Sequence, residues 1–378
     1  MSTQFHWFIP SGGDGRHLVH TATRERHGAG RGTRPPAADY LVQVACVAEH
    51  AGFDGVMLPV GSYAQDGWLL AAAMALETRR LRFLVSVRPG LELPTHFAQK
   101  AATLQKLSGD RLQLNIVAGS AAQEQRAYGD FLEHDQRYER AEEFIRLARA
   151  VWKGEALQHA GRYFMADVGR LSAAVCDPAP PVFCGGASEI AERVSVAQGD
   201  VHALWGETPP MVAERLARLR RLAADSGRDP LGFALRIHVI ARPTAHEAWA
   251  EAQRLLGGLS QEVVDIAQRK LARSESVGQA RMRQLHQGKR IDDVRALEVY
   301  PNIWAGIGLV RGGAGTAIVG SHAQVAERIE EYRALGVTAF LLSGYPNLEE
   351  ARVVGTHVLP RLRAPQGDPG AADAAARA

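Results

Sequence analysis

Hydrophobic positions along the chain form short apolar runs separated by longer amphipathic stretches. The runs at residues 5–9, 55–60, 81–87, 112–117, 181–184, 201–205, 235–241 and 339–343 predict eight strands. Between them, apolar residues spaced three and four apart predict helices over 38–51, 66–78, 94–107, 135–152, 188–197, 211–224 and 348–362. Ser321-His322-Ala323-Gln324 has the form of a capping box and predicts a further helix before the last strand. Residues 161–171 suggest a small irregular hairpin.

Strands that are apolar on both faces and alternate with helices belong to a parallel sheet covered on both sides. Eight of them predict an α/β fold of the (β/α)8 barrel type. An open doubly wound sheet is the alternative, and it usually carries a glycine-rich nucleotide fingerprint. Gly13-Asp14-Gly15 and Gly313-Ala314-Gly315 both lack the third glycine and an immediately following helix, so the dinucleotide reading is rejected. The interval from 256 to 319, between strands seven and eight, is far longer than an ordinary connection. It begins helical, turns polar and basic over 278–290, and is rich in glycine over 305–319 (Gly306, Gly308, Gly312, Gly313, Gly315). That composition predicts a mobile lid rather than core. The expectation is one barrel domain over 1–363 carrying this insertion, and a disordered tail over 364–378 that lacks an apolar face.

Composition narrows the function. The 378 residues are 46% hydrophobic and 22% charged with a net charge of +3, as in an ordinary globular protein. Only five of the 44 basic residues are lysines, but the arginines are scattered among acids, which argues against a nucleic-acid-binding face. Cys46, Cys176 and Cys184 are odd in number, have apolar neighbours and show no CxxC spacing, so they predict buried thiols in a reducing compartment. No apolar stretch is long enough for a transmembrane helix and no signal peptide is evident, so the expected location is the cytoplasm.

In a parallel barrel the reacting groups gather where strands end. Asn115 interrupts the fourth apolar run, Trp205 closes the sixth, and Tyr345 follows the eighth. Arg236 and His238 lie two apart on the seventh strand, so alternation points both to one face, and an arginine there needs an anion. Neither His-x-His, HExxH nor Gly-x-Ser-x-Gly occurs, so metal and serine-hydrolase chemistry lack support. Gly185-Gly186-Ala187-Ser188 follows a strand and opens a helix, where backbone N–H groups and the Ser188 hydroxyl suit a phosphate. A plain serine N-cap after a glycine turn is the competing explanation.

Several ordered blocks carry a resemblance to a known family. Phe5-His6-Trp7-Phe8-Ile9-Pro10, Asn115-Ile116-Val117-Ala118-Gly119-Ser120 and His134-Asp135-Gln136-Arg137-Tyr138 are similar to the bacterial luciferase-like flavin monooxygenases. Leu204-Trp205-Gly206-Glu207, Leu235-Arg236-Ile237-His238, Gly308-Leu309-Val310-Arg311-Gly312-Gly313 and Leu342-Ser343-Gly344-Tyr345-Pro346 narrow this to the FMNH2-dependent alkanesulfonate monooxygenases. The resemblance spans about residues 5 to 362. It implies FMN as FMNH2 from a separate NAD(P)H-dependent flavin reductase, O2 as co-substrate, and an organosulfonate split into sulfite and an aldehyde. It also implies a homodimer or homotetramer.

By matching motifs, the resemblance places Arg236, His238, Arg311 and Tyr345 at the active site; Arg236 and Arg311 are the expected substrate clamps, and Trp205 is expected to wall the substrate chain or the flavin. Asn115, Arg137, Tyr138, Gly186 and Ser188 take flavin-contact positions. Arginines suit a sulfonate, a permanent anion with three acceptor oxygens, and His238 is the expected acid/base near neutral pH. Ala64 stands where the family has a cysteine, beside the bulky Tyr63, and Asn347 stands where a histidine often follows Tyr-Pro. An insertion at about 20–32 brings Arg24, Arg26 and Arg31. These departures predict an altered sulfonate preference, towards bulkier or more polar substrates. A sulfone substrate, a non-catalytic flavin binder and a deazaflavin-dependent hydride transferase are the rival readings.

Overall fold

The structure is a computed structural model that describes residues 3–19, 33–119, 121–168, 171–287 and 292–363. Eight parallel strands close on themselves: β1 (Gln4–Phe8), β2 (Gly55–Leu58), β3 (Arg82–Val87), β4 (Leu112–Ile116), β5 (Val182–Gly185), β6 (Val201–Trp205), β7 (Gly232–Arg242) and β8 (Ala339–Ser343). Each pairs with the next, and β8 pairs back with β1 through Gln4↔Ala339 to Trp7↔Leu342. The ring is a (β/α)8 barrel, and every predicted strand lies in it with ends shifted by a few residues.

Pleat alternation sorts each strand's residues between the lumen and the helical layer. Leu84, Phe183, Ala234, Ala339 and Leu341 form an apolar plug in the lumen, while a much larger cluster fills the space between strands and helices. Deeper in the barrel, His6 shares a hydrogen bond with Gln113 at 2.7 Å. Towards the carboxyl ends the same faces turn polar: Ser86, Asn115, Trp205, Arg236, His238 and Ser343. The helix ends follow local sequence. Asp66 caps Gly67–Glu77, Ser188 caps Glu189–Gln198, and Ser321 with Gln324 closes the capping box of His322–Leu335. A hairpin forms here but begins before the expected 161–171 span, as Leu157–Ala160 paired with Met165–Val168. Cys176 and Cys184 are buried, but Cys46 is only half-buried. Among the described residues, no helix is long and apolar enough to cross a membrane.

The insertion corrects one expectation. β7 outruns its barrel partners, and its last residues pair with a parallel strand, Ala317–Ser321, which in turn pairs with Ile303–Trp304. Trp304, Ile307, Leu309, Ala317 and Val319 are buried in a cluster with Ile240 and Leu256, so most of the glycine-rich stretch is core rather than lid. Its glycines serve close approach instead of mobility. Gly308 N–H donates to Gly315 O at 2.8 Å, and a Cβ on Gly315 would stand 2.9 Å from Gly308 Cα. A Cβ on Gly306 would fall 2.0 Å from the fully buried Trp304 ring. Gly306→Ala is therefore expected to destabilise the protein by roughly 1–3 kcal/mol, read as a lower urea midpoint at unchanged slope. Most of the described part of the stretch expected to be polar and basic lies in helix Val277–His286, with Gly278, Gln279 and Met282 buried, and residues 288–290 lie outside the described residues. The arginine-rich insertion at 20–32 and the tail from 364 lie outside the described residues.

Candidate active site

A cleft opens at the carboxyl ends of the strands and has two lobes of about 250 and 150 Å3. Met57, Asn115, Val117, Trp205 and Arg236 line both, so the lobes are continuous. The larger lobe gathers Asp14 from the loop after β1, Tyr63 from that after β2, Arg236 and His238 from β7, Arg311 from the insertion, and Ser343, Tyr345 and Asn347 from the end of β8.

Arg236 is held without a carboxylate. It donates to Leu341 O at 3.1 Å, to Ile237 O at 3.2 Å and to Ser343 Oγ at 2.9 Å, and its guanidinium lies 4.9 Å from the centre of the Phe8 ring. Burial, with Arg311 nearby, pushes its pKa down to about 10, so it stays a cation at neutral pH. Ser343 Oγ is also 2.7 Å from His238 Nδ1, and His238 Nε2 is 3.1 Å from Ala314 O. A carbonyl can only accept, which assigns the proton to Nε2 and makes Nδ1 the acceptor of the Ser343 O–H. Burial and then the two arginines hold His238 well below the usual histidine range. It is neutral with both nitrogens engaged, so this geometry departs from the expectation of an acid/base at neutral pH. Its place is to orient Ser343, and through it Arg236.

Tyr345 stacks on His238 with ring centroids 5.5 Å apart, and the Arg311 guanidinium sits 5.3 Å from the Tyr345 ring centre. Burial raises the Tyr345 phenol pKa despite the two arginines, so it remains an O–H donor. Asn115 donates to Ser86 Oγ at 3.0 Å, between the lobes.

The smaller lobe is lined by Tyr138, Gly185, Gly186, Ala187, Ser188 and Arg215, with Ser276, Val277 and Gly278 of the insertion across from them. Gly186 has φ +135°, and a Cβ there would meet the Tyr138 hydroxyl at 2.6 Å. Only glycine leaves this cradle open. The Ser188 hydroxyl accepts from Ala191 N–H at 3.4 Å, a long contact at the start of the ten-residue helix Glu189–Gln198. Arg215 donates to Gly186 O at 2.7 Å and is flanked by Glu192 and Glu207. Arg281 from the insertion bonds to Glu207 at 2.6 Å. Open backbone donors at a helix N-terminus, backed by a buried arginine, fit a phosphate, and the aromatic and amide groups between the lobes fit a planar ring system.

Of the residues singled out in the sequence, Asn115, Tyr138, Gly186, Ser188, Trp205, Arg236, His238, Arg311 and Tyr345 all line the cleft. Arg137 does not. It is buried beside the cleft, donating to Leu132 O and pairing with Glu275, each at 2.7 Å, and so ties the helix His134–Trp152 to the insertion. Sequence reasoning passed over Ser343, Asp14 and Arg215. Arg215 had a signal, because it lies on the stripe of Val212, Leu216 and Leu219, where an arginine must be buried. Among the described residues, no three His, Cys, Asp or Glu side chains converge as metal ligands.

Solved structures share this architecture. An EDTA monooxygenase from Chelativorans sp. BNC1 superposes with a TM-score of 0.72 at 19% identity, covering 96% of this chain and 94% of that one. A long-chain alkane monooxygenase gives a TM-score of 0.75 at 20% identity, over 99% and 95%. The oxygenating constituent of 3,6-diketocamphane monooxygenase from Pseudomonas putida, in complex with FMN, gives 0.70 at 17%, over 97% and 100%. At such identities these comparisons speak for the fold. Residues 3–339 match the luciferase-like monooxygenase family, and with the closed barrel and its cleft in place the chain belongs to that family.

Proposed function

We propose that the protein is a two-component FMNH2-dependent monooxygenase that cleaves the C–S bond of an alkanesulfonate or related organosulfonate. The observation that carries this is Arg236, a cation in the larger lobe whose hydrogen bonds all go to neutral acceptors, with Arg311 in the same lobe. A cation held without an acid favours an anionic ligand, and a sulfonate supplies three acceptor oxygens. A sulfone is neutral and gives Arg236 no such partner.

The smaller lobe would hold the FMN phosphate on Gly186, Ala187 and Ser188, with Arg215 behind them and Tyr138 beside them. Trp205 and Asn115, which line both lobes, would flank the ring. When bound there, reduced FMN would supply the two electrons that let O2 give one oxygen atom to the substrate carbon and the other to water, the products being an aldehyde and sulfite. Arg236 and Arg311 bind and orient the sulfonate. Tyr345, protonated and beneath Arg311, is the proton donor of the lobe, while the ring of His238 fixes Ser343. The insertion residues Ser276 to Gly278 exclude water from the cofactor lobe.

The proposal carries with it a separate NAD(P)H-dependent flavin reductase. It also includes a homo-oligomer, for which the exposed stripe of Leu69, Ala73 and Leu76 on one helix provides an apolar face. The test is sulfite release with FMN, NADPH, a generic flavin reductase and a panel of sulfonates. Oxygen-dependent sulfite from any member supports the reaction. No sulfite from any of them, with FMN bound tightly, overturns it.

A further inference from the structure

The larger lobe has two unlike sides. Its cations, Arg236 and Arg311, stand on β7 and the insertion, while Phe8, Pro10, Met57, Pro59 and Val60 from β1, β2 and the turns after them give the other side an apolar lining. It also has a depth. Arg236 pairs in register with Leu341 inside the barrel ring, whereas Tyr63 stands beyond the end of β2 at Leu58 and keeps 54% of its surface exposed. Tyr63 also lines this lobe, so a ligand whose anionic head rests on Arg236 has its chain directed past that ring towards solvent. The ring has a defined seat. A Cβ on Gly61 would fall 2.8 Å from Tyr63 Cε1 and one on Gly12 would fall 3.2 Å from Tyr63 Cδ2, so each glycine makes room for one edge of the ring. The loop beneath it is tied to its neighbours. Ser62 N–H donates to Glu124 Oε1 at 2.6 Å, Arg88 donates to Glu124 Oε2 at 2.7 Å, and Gln65 N–H donates to Ser11 O at 3.3 Å. The phenol end lies within the cleft, where desolvation and Glu124 raise its pKa against the fields of Arg311 and Arg236, so the ring is uncharged at neutral pH.

We propose that Tyr63 is a specificity-determining residue, an aromatic wall at the mouth of the larger lobe that limits the chain attached to the anionic head. Preferred substrates are then sulfonates with short, slender chains, the opposite of the bulkier ones that the departures at this loop suggested. The inference rests on the sulfonate reading above and names the subset of sulfonates that this lobe accepts. The cost falls on large chains for a packing reason. A chain too large for the gap has to displace the ring from Gly12 and Gly61 and lose the contacts made there, whereas a short chain ends beneath it.

The experiment measures kcat/KM for octanesulfonate and ethanesulfonate with the full-length protein, FMN, a flavin reductase, NADPH and O2, reading sulfite. The octane-to-ethane ratio of the parent is expected to lie below unity. Tyr63→Ala should raise that ratio about tenfold or more, the low end of what fitting one methylene into a pocket is worth. Tyr63→Phe keeps the ring without its hydroxyl and should stay within about twofold of the parent. Tyr63→Trp enlarges the wall and should lower the ratio further. Because Tyr63 is more than half exposed, all three variants are expected to fold. A parent ratio above unity, or a ratio that Tyr63→Ala leaves unchanged, overturns the inference while leaving C–S cleavage in place. A phenylalanine variant that behaves like the alanine one assigns the effect to the hydroxyl and overturns it as well. Absence of sulfite from both sulfonates and from chains of intermediate length, with the parent and every variant, overturns the reaction itself, and this inference with it.

Discussion

An Arg236→Met variant is expected to lose about thirtyfold or more in kcat/KM on organosulfonates while unfolding at no lower denaturant concentration than the parent. The two readouts separate a ligand-binding cation from a structural one. If Arg236 were part of the scaffold, removing it would uncover a charge partner and lower stability. Its neighbours are neutral: two carbonyls, the Ser343 hydroxyl and the face of Phe8. Methionine fills similar volume without the desolvation penalty of a cation, so stability stays level or rises. The loss on the substrate side follows from stranding a sulfonate without its charge-assisted partner, about 2–5 kcal/mol for a desolvated pair. Retained turnover on sulfonates, or a large drop in stability, would remove Arg236 from its assigned role.

Between pH 7.5 and pH 5 the folded state should lose several kcal/mol of stability, roughly 2 kcal/mol from each of the buried His6 and His202 and more from His238, His286 and His322, whose pKa values burial also lowers. Burial, the largest influence on each, lowers His6 to about 4, His202 to about 3 and His238 well below the ordinary 6.5. Each is neutral when folded and takes up a proton near pH 6.5 when unfolded. The unfolded state therefore binds more protons below pH 6.5, and stability that is complete above that value drains away as pH falls towards the folded-state values. Glu49, Glu124 and Glu143 have lowered pKa values, so their contributions are present above 4.5 and fail only below this window. Glu350, raised by burial, works in the opposite direction but is one group against five histidines. Urea midpoints at pH 7.5 and 5 at fixed ionic strength test this, and a flat profile would mean that the histidines are hydrated or paired differently. Replacing His6 by glutamine should flatten the profile by roughly 2 kcal/mol.

The parts of the cleft that sequence revealed are those whose geometry is set within a few residues. Arg236 and His238 had to share a face because a strand repeats every two residues, and both line the larger lobe. Ser188 was recognisable from the glycine turn before it and the helix behind it, and it caps that helix. The glycine-rich stretch misled because glycine serves both mobility and close approach, and only the packing of Trp304 on Gly306 tells which. Arg137 misled in another way. Its motif matches a flavin position, but a guanidinium reaches whichever acid the fold brings near, here Glu275, far along the chain.

By itself the sequence determined the strand and helix pattern, the closed parallel barrel, the caps and the concentration of polar side chains at strand ends. All of these follow from backbone periodicity and local hydrogen bonding. Only the tertiary structure decided which charges pair, which nitrogen of His238 carries the proton, and which end of the Asn347 amide faces Asp14. Those outcomes depend on contacts such as Asp14 with Asn347 and His238 with Ala314, made between residues distant in the chain. Local propensity is silent about such pairs, because the energy that orients a buried polar group comes from whatever partner the closed barrel brings within hydrogen-bond reach.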